Sequence, residues 1–100
     1  MEPAQPDICI SDVVISIAGR DRTEWFYVID TEPDYLILSN GKDRTLDKPK
    51  RKKRKHVQKV LRSETRVAQK LRQGDKVLNS ELRRDLAFLA GGLQANNLGG

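Results

Sequence analysis

The 100-residue sequence has few of the residues that build disulfides, metal centres and membrane spans. It has one cysteine, Cys9, and one histidine, His56, which excludes an internal disulfide, a paired-cysteine zinc site and a histidine-rich metal site. No apolar run approaches the roughly 18 residues of a membrane-spanning helix. The first residues are acidic and lack the basic segment followed by an apolar segment that is typical of a signal peptide. These absences predict a soluble, intracellular protein with no membrane partner and no cofactor or metal.

Residues suited to catalysis are also scarce. A folded part of about 60 residues buries only about 60% of the surface that its unfolded chain exposes, which leaves little room for a deep cleft. The carboxylates lie in turn-like segments, and no glycine-rich phosphate loop is present. Cys9 has no neighbouring base and is expected to be a small buried side chain. The sequence therefore predicts a protein that is not an enzyme and takes no small-molecule substrate.

Positive charge is plentiful and unevenly distributed. The chain holds 19 Lys and Arg against 14 Asp and Glu, a net charge of +5. Residues 1–40 carry eight acids and two bases (−6), and residues 41–100 carry seventeen bases and six acids (+11). Seven of the eight residues in Lys48–Lys55 are basic. Such close like charges repel one another unless something neutralises them, and a phosphate backbone does so with release of counterions. The predicted partner is a nucleic acid.

Short β-branched and aromatic segments predict a mainly β fold, a small barrel followed by one or two short C-terminal α-helices. The expected strands are Asp12–Ala18, Trp25–Ile29, Tyr35–Ser39, Lys42–Leu46 and Val57–Leu61. Asn40-Gly41 predicts a tight type I′ hairpin between the third and fourth strands. Helices are expected to begin at Ser63 and at Asn79 or Ser80, and to stop at Gly74 and at Gly91-Gly92. The predicted regions are a flexible arm (1–9), a barrel (10–61) with a basic loop (48–56), a helical extension (62–90) and a disordered tail (91–100).

Aromatic residues concentrate in the predicted second strand. Trp25 and Phe26 are expected to pack in the core. Tyr27 and Tyr35 are expected to be more open, because a phenol tolerates a wet edge and an exposed ring can stack on an unpaired base.

The order of these segments resembles a known family. Val13–Arg22 followed by an apolar strand is similar to the KOW motif, in which a strand, a glycine-basic loop and a second strand open an SH3-like barrel. The residues that carry the wider resemblance, over about residues 10–88, are Ala18-Gly19-Arg20-Asp21, Trp25–Ile29, Tyr35–Leu38 with Asn40-Gly41, Lys48-Pro49-Lys50 running into His56-Val57, and Leu78–Arg83. The motif usually has glycine after the basic residue of the first loop, whereas here Thr23-Glu24 follows Arg22.

The chain resembles short bacterial KOW-domain RNA-binding proteins, which are similar to KOW-containing large-subunit ribosomal proteins of archaea and eukaryotes. The resemblance implies a cytoplasmic RNA-binding protein associated with the ribosome, with large-subunit ribosomal RNA as the partner and ribosomal proteins as neighbours. Structured RNA would be held through its phosphates and recognised mainly by shape. The predicted RNA-contacting residues are Arg20, Arg22, Lys42, Arg44, Lys48, Lys50, Arg51, Lys52, Lys53, Arg54, Lys55 and His56.

Other interpretations of the basic run stay open from the residues alone. The barrel is compatible with DNA binding, or with a protein partner at its acidic N-terminal half. In the second case Pro49–Lys55 reads as a nuclear localisation signal. A solvated basic loop without a specific partner is the remaining alternative.

Overall fold

The backbone of residues 7–99 and the side chains of residues 7–92 are described by a computed structural model. The fold is mainly β, an antiparallel five-stranded sheet with two helices. The elements are β1 (Asp12–Ser16), β2 (Trp25–Thr31), β3 (Tyr35–Ser39), β4 (Lys50–Lys53), a 3-10 turn (Arg54–His56), β5 (Val57–Arg62), α1 (Arg66–Gln73) and α2 (Asn79–Gly99).

The sheet has the strand order β4-β3-β2-β1-β5, and its two edges are consecutive in the chain. From Lys53 at the end of β4 to Val57 at the start of β5 the chain can span at most about 14 Å. The edges of a flat five-stranded sheet would lie about 19 Å apart. The sheet must therefore curl until its edges approach, and a backbone bond from the Ile17 N–H to the His56 carbonyl (2.9 Å) continues the β1–β5 pairing as far as the 3-10 turn. The result is a barrel-like sheet, in agreement with the predicted small barrel.

Apolar side chains form two separate cores on opposite faces of the sheet. The residues inside the curled sheet are Ile8, Val14, Phe26, Val28, Leu36, Leu38 and Val57. The second core lies between the sheet and the helices and contains Val13, Tyr27, Val67, Ala68, Leu82 and Leu86. Strand β2 contributes to both cores because it lies in the middle of the sheet and its alternate residues face opposite sides. This explains why its apolar run is continuous rather than alternating.

A buried polar network joins the sheet to both helices. The Tyr27 hydroxyl donates to Asp85 of α2, and the Ser63 hydroxyl, 2.8 Å away, donates to the Tyr27 oxygen. Thr65 Oγ1 donates to the same Asp85 carboxylate (2.9 Å) and accepts from the Ala68 N–H (3.2 Å), so it caps α1. Burial and the Asp85 carboxylate raise the pKa of Tyr27 to about 12, which keeps this phenol a donor. Tyr27 is fully buried, so the expectation of an open tyrosine there is wrong.

The predicted tight hairpin at Asn40-Gly41 is replaced by a longer loop. No strand covers Lys42–Leu46, and β3 is followed by a loop that reaches β4 only at Lys50. Gly41 has a φ of +73°, and a Cβ there would lie 2.3 Å from the Asn79 carbonyl oxygen. Arg83 of α2 donates to the Gly41 carbonyl (2.6 Å), and Asn79 Oδ1 accepts from the Leu46 N–H (2.8 Å). The loop is thus shaped by contacts with α2 rather than by a local turn.

The helices differ from their predicted limits in two places. Thr65, not Ser63, is the N-cap of α1, because the Ser63 hydroxyl is buried beside Tyr27. Gly74 ends α1 in the left-handed conformation (φ +77°), which confirms the predicted stop. Helix α2 does not stop at Gly91-Gly92 but continues to Gly99. Each glycine destabilises an α-helix by only about 1 kcal/mol and, unlike proline, leaves the backbone hydrogen bonds intact.

The N-terminal segment is partly packed. Residues 1–6 of the predicted flexible arm lie outside the described residues. Ile8 is buried in the inner core, whereas Cys9 is exposed, contrary to its expected burial. The Cys9 N–H donates to Asp12 (2.8 Å), and this turn directs the side chain outward.

Candidate nucleic-acid interface

The basic run forms a sheet-edge strand and a 3-10 turn rather than the single loop predicted over residues 48–56. Within β4 the four bases alternate between two faces, because successive side chains of a strand point to opposite sides. Lys50 and Lys52 stand opposite Leu38 and Leu36 of β3, which belong to the inner core. Arg51 and Lys53 stand opposite Ile37 and Tyr35 on the outer face. The run therefore divides into an inner pair, Lys50 and Lys52, and an outer pair, Arg51 and Lys53.

Both bases of the inner pair bind one carboxylate in the β1–β2 loop. Lys52 Nζ donates to Asp21 Oδ1 (2.8 Å) and to the Ala18 carbonyl (2.9 Å), and its side chain is only 8% exposed. Lys50 Nζ lies 3.0 Å from the other Asp21 oxygen, and the Ser16 hydroxyl donates to Asp21 at 2.7 Å. Lys52 is therefore less accessible to a phosphate than the exposed bases of the run, and its predicted RNA contact stays a prediction. Its aliphatic stem lies beside the core while the ammonium reaches the wetter end of the sheet.

Asp21 is held in its charged form by these neighbours. Burial alone would raise the pKa of Asp21, but hydrogen bonds from Lys52 and Ser16, together with the Lys50 ammonium, outweigh it and hold the pKa far below the ordinary value of 3.8. The oxygen facing Lys50 is buried and has no well-directed hydrogen bond, so charge alone holds it there. Asp21 thus pairs with two of the seven clustered bases and closes the end of the barrel-like sheet.

The outer pair is exposed on the edge strand of the sheet. The Arg51 guanidinium lies 3.7 Å from the centre of the Tyr35 ring, and its Nε donates to Glu32 Oε1 (2.9 Å). The Arg51 side chain is still 57% exposed, so its remaining N–H groups face solvent. Lys53 is exposed and forms no ion pair within residues 7–92. Both side chains can reach an external anion.

The residues flanking β4 add further exposed bases. Lys48 and Lys55 are exposed and form no ion pair with any described side chain. Arg54 is half-buried and its Nε donates to the Glu32 carbonyl (3.0 Å), which fixes the 3-10 turn. His56 is half-buried at the end of that turn, where its carbonyl accepts the Ile17 N–H. We call the exposed bases on and beside β4 the outer basic surface; they are Lys48, Arg51, Lys53 and Lys55.

The predicted loop contacts lie in a separate cleft of mixed charge. The β1–β2 loop and the β3–β4 loop meet, and the charged residues lining the cleft between them are Arg20, Asp21, Glu24, Asp43, Arg44 and Lys50. Three bases face three acids there, so the cleft has no net charge. The Asn40 side chain holds the pKa of Asp43 below its ordinary value, which keeps this acid charged. Arg22 and Lys42 are exposed near the same loops. A polyanion is therefore attracted less strongly to this cleft than to the outer basic surface.

Sequence reasoning named the bases and the open Tyr35 ring, but it did not identify the acids that lie beside the bases, Asp21 and Asp34. Tyr35 and Asp34 line a groove of about 380 Å³ together with Lys53 and Lys55. The β3–β4 register that brings Tyr35 beside Lys53 was hidden, because the return strand was predicted eight residues too early, at Lys42 instead of Lys50. If the return strand is placed at Lys50, the alternation of side chains along it puts the inner pair on one face and the outer pair on the other.

Lysines on a sheet edge also have a structural use. Charged side chains on an edge strand discourage pairing with a second sheet, and β4 is an edge strand in the pairing order. One or two charged side chains on the strand are enough to prevent such pairing. This use does not account for Lys48 and Lys55, which lie outside the strand.

In comparisons with known proteins, no protein-family model and no curated protein matches this sequence. Neither helix of the described chain is long and apolar enough to cross a membrane. Among residues 7–92, no three His, Cys, Asp or Glu side chains come together as ligands for a metal ion.

Proposed function

We propose that the protein is an RNA-binding module of the KOW type that holds RNA phosphates on its outer basic surface. The observation that carries this proposal is the outer face of β4 and its flanks, where Lys48, Lys53 and Lys55 are exposed without an acidic partner among the described residues. Arg51 adds a guanidinium fork that suits the paired oxygens of a phosphate.

The architecture supports the assignment to an SH3-like KOW barrel. The five-stranded order β4-β3-β2-β1-β5 curls the sheet into a small barrel. The first loop contains Gly19, at a φ of +89°, next to Arg20, which is compatible with the glycine-basic loop of the motif. Thr23, at the position that departs from the motif, also has a positive φ of 76°. The loop thus keeps the left-handed turn without the usual glycine.

Within this proposal the protein works in the cytoplasm on the ribosome, with large-subunit ribosomal RNA as its partner and ribosomal proteins beside it. RNA rather than DNA follows from the family resemblance, since phosphate contacts alone do not distinguish the two. The fold of the basic run argues against its use as a nuclear localisation signal. Such a signal is read as an accessible linear segment, whereas Lys52 is buried and Lys50 is bound to Asp21.

The test compares two triple variants of equal charge change. Lys48, Lys53 and Lys55 are replaced by Gln in one, and the exposed Arg66, Lys76 and Arg84 in the other. Binding to a structured ribosomal RNA fragment is measured over a range of salt concentrations. The wild-type affinity should fall with salt, and loss of three phosphate contacts should make the log–log slope shallower by about 2 to 3. The control variant should keep a slope close to that of the wild type.

Two outcomes would contradict the proposal. One is a wild-type affinity that does not change with salt, and the other is an equal loss in both variants. Duplex DNA of matched length serves as the competitor, and preference for the duplex would favour the DNA-binding alternative. Sedimentation of lysate through a sucrose gradient then tests the ribosome itself. We expect the protein to migrate with the large subunit and to return to the top of the gradient after RNase treatment.

A further inference from the structure

The groove beside Tyr35 has features that phosphate binding does not use. Arg51 covers the Tyr35 ring at 3.7 Å but does not line the groove, whose walls are Asp34, Tyr35, Lys53 and Lys55. The groove therefore adjoins the part of the ring that Arg51 leaves open. Its volume of about 380 Å³ is more than a planar ring the size of a nucleobase needs.

The two tyrosines of the sheet differ in how their hydroxyls are used. Tyr27 is buried, and its hydroxyl has three hydrogen-bond partners on two segments: Ser63 and Thr65 between β5 and α1, and Asp85 on α2. Tyr35 is only half-buried, and its hydroxyl has no hydrogen-bond partner among the described residues. A tyrosine that serves the core usually satisfies its hydroxyl, as Tyr27 does. Tyr35 instead presents an aromatic surface to the groove.

The charges around the groove distinguish between parts of a nucleotide. Lys53 and Lys55 attract phosphates, whereas the Asp34 carboxylate repels them and accepts hydrogen bonds from N–H groups. The N–H groups on the edge of a base meet that requirement. The Asp34 carbonyl accepts the Arg54 N–H (3.0 Å), so this wall of the groove is fixed before any ligand arrives.

From this arrangement we infer that the groove takes an unpaired nucleotide of the RNA, with its base stacked on Tyr35 and its neighbouring phosphates on Lys53 and Lys55. This rests on the proposed function and narrows it to RNA with a loop, bulge or single-stranded end. A base inside a continuous duplex cannot enter the groove, because its faces are already covered by neighbouring bases. Arg51 on the ring adds a third layer to the stack, and its charge strengthens the contact.

The test uses a hairpin RNA with 2-aminopurine at one loop position. Stacking on an aromatic ring quenches the fluorescence of this base. With the wild-type protein we expect quenching on binding, and an affinity about 5- to 150-fold higher than for the same hairpin with an abasic loop position. Tyr35→Leu should lose both effects, and Tyr35→Phe should keep them, because only the ring is needed.

The outcomes separate this inference from the proposed function. Salt-dependent binding with equal affinity for the intact and abasic hairpins would overturn the stacking site and leave the phosphate surface standing. No salt-dependent binding of either hairpin would overturn both. The abasic comparison uses only the wild-type chain, so a folding defect in Tyr35→Leu cannot decide the result.

Discussion

The inner and outer pairs of β4 are the same kind of residue in the same strand, yet they do different things. Lys52 is 8% exposed and bound to Asp21, whereas Arg51, one residue earlier, is 57% exposed. The difference comes from the period of the strand, which sends one pair over the inner core and the other towards solvent. A cluster of bases is therefore not by itself a binding surface. The acids that the fold brings to each base decide which charges remain for a partner.

The largest expected effect comes from removing a base of the inner pair. Lys52→Ala leaves Asp21 with one ammonium instead of two, and also removes the stem that stands opposite Leu36. Breaking a buried pair typically costs about 3–5 kcal/mol, and we expect the free energy of unfolding to fall by about that amount. Urea unfolding followed by circular dichroism measures it. An unchanged midpoint would show that the inner pair is not structural.

Acid should weaken the fold through the same carboxylate. The folded-state pKa of Asp21 lies well below its ordinary 3.8, so the unfolded chain takes up the proton first as the pH falls. The stabilisation is complete above about pH 5 and decreases as the pH drops through 4 towards 2. Thermal unfolding at a series of pH values measures this decrease. Asp21→Asn should flatten the profile, and a profile unaffected by that substitution would assign the acid sensitivity to another group.

A smaller effect is expected on the outer face. Arg51→Ala removes an exposed ion pair with Glu32 and the contact with the Tyr35 ring. Each is worth at most about 1 kcal/mol at an exposed site, so the free energy of unfolding should fall by about 0.5–1.5 kcal/mol. Urea unfolding gives the value, with Arg51→Lys as the control that keeps the charge. A loss as large as that of Lys52→Ala would remove the distinction between the two pairs.

The smallest effect on stability is expected for Lys53. Its ammonium has no ion-pair partner among residues 7–92, so Lys53→Gln should change the free energy of unfolding by less than about 0.5 kcal/mol. The log–log salt slope of RNA binding should nevertheless become shallower by about 1. Measuring both quantities on one variant is the sharpest form of the comparison. A destabilised Lys53→Gln with an unchanged slope would reverse the roles of the two faces.

Much of the sheet is predictable because local preferences and tertiary packing agree there. Tyr35–Ser39 is predicted with its exact limits, and the apolar run from Trp25 predicts β2 apart from its last two residues. Strand β4 could not be predicted in this way. Four consecutive bases show no apolar alternation, and they are extended because the free edge of β3 needs backbone partners.

The prediction for the loop after β3 was wrong for a different reason. Asn40-Gly41 is a strong hairpin signal, but Arg83 and Asn79 contact this segment from α2, far away in the sequence. A local pattern carries no information about such a contact. Only part of the candidate site can be predicted from the sequence, again because some of its contacts join distant segments. The bases are visible in the sequence, whereas Asp21 as the partner of Lys50 and Lys52 follows only from the curl of the sheet.

The pairing of the first strand with the last has a consequence for how the chain folds during synthesis. Asp12 pairs with Arg62, so β1 gains its second neighbour only after about 50 further residues have been made. The hydroxyl of Tyr27 needs Asp85, which emerges later still. Contacts of such long sequence separation form slowly, because loop closure must come first. When residues 48–55 emerge from the ribosome, β5 and Asp85 still have to follow, so the sheet is completed only after residue 62 has emerged and is joined to α2 later still.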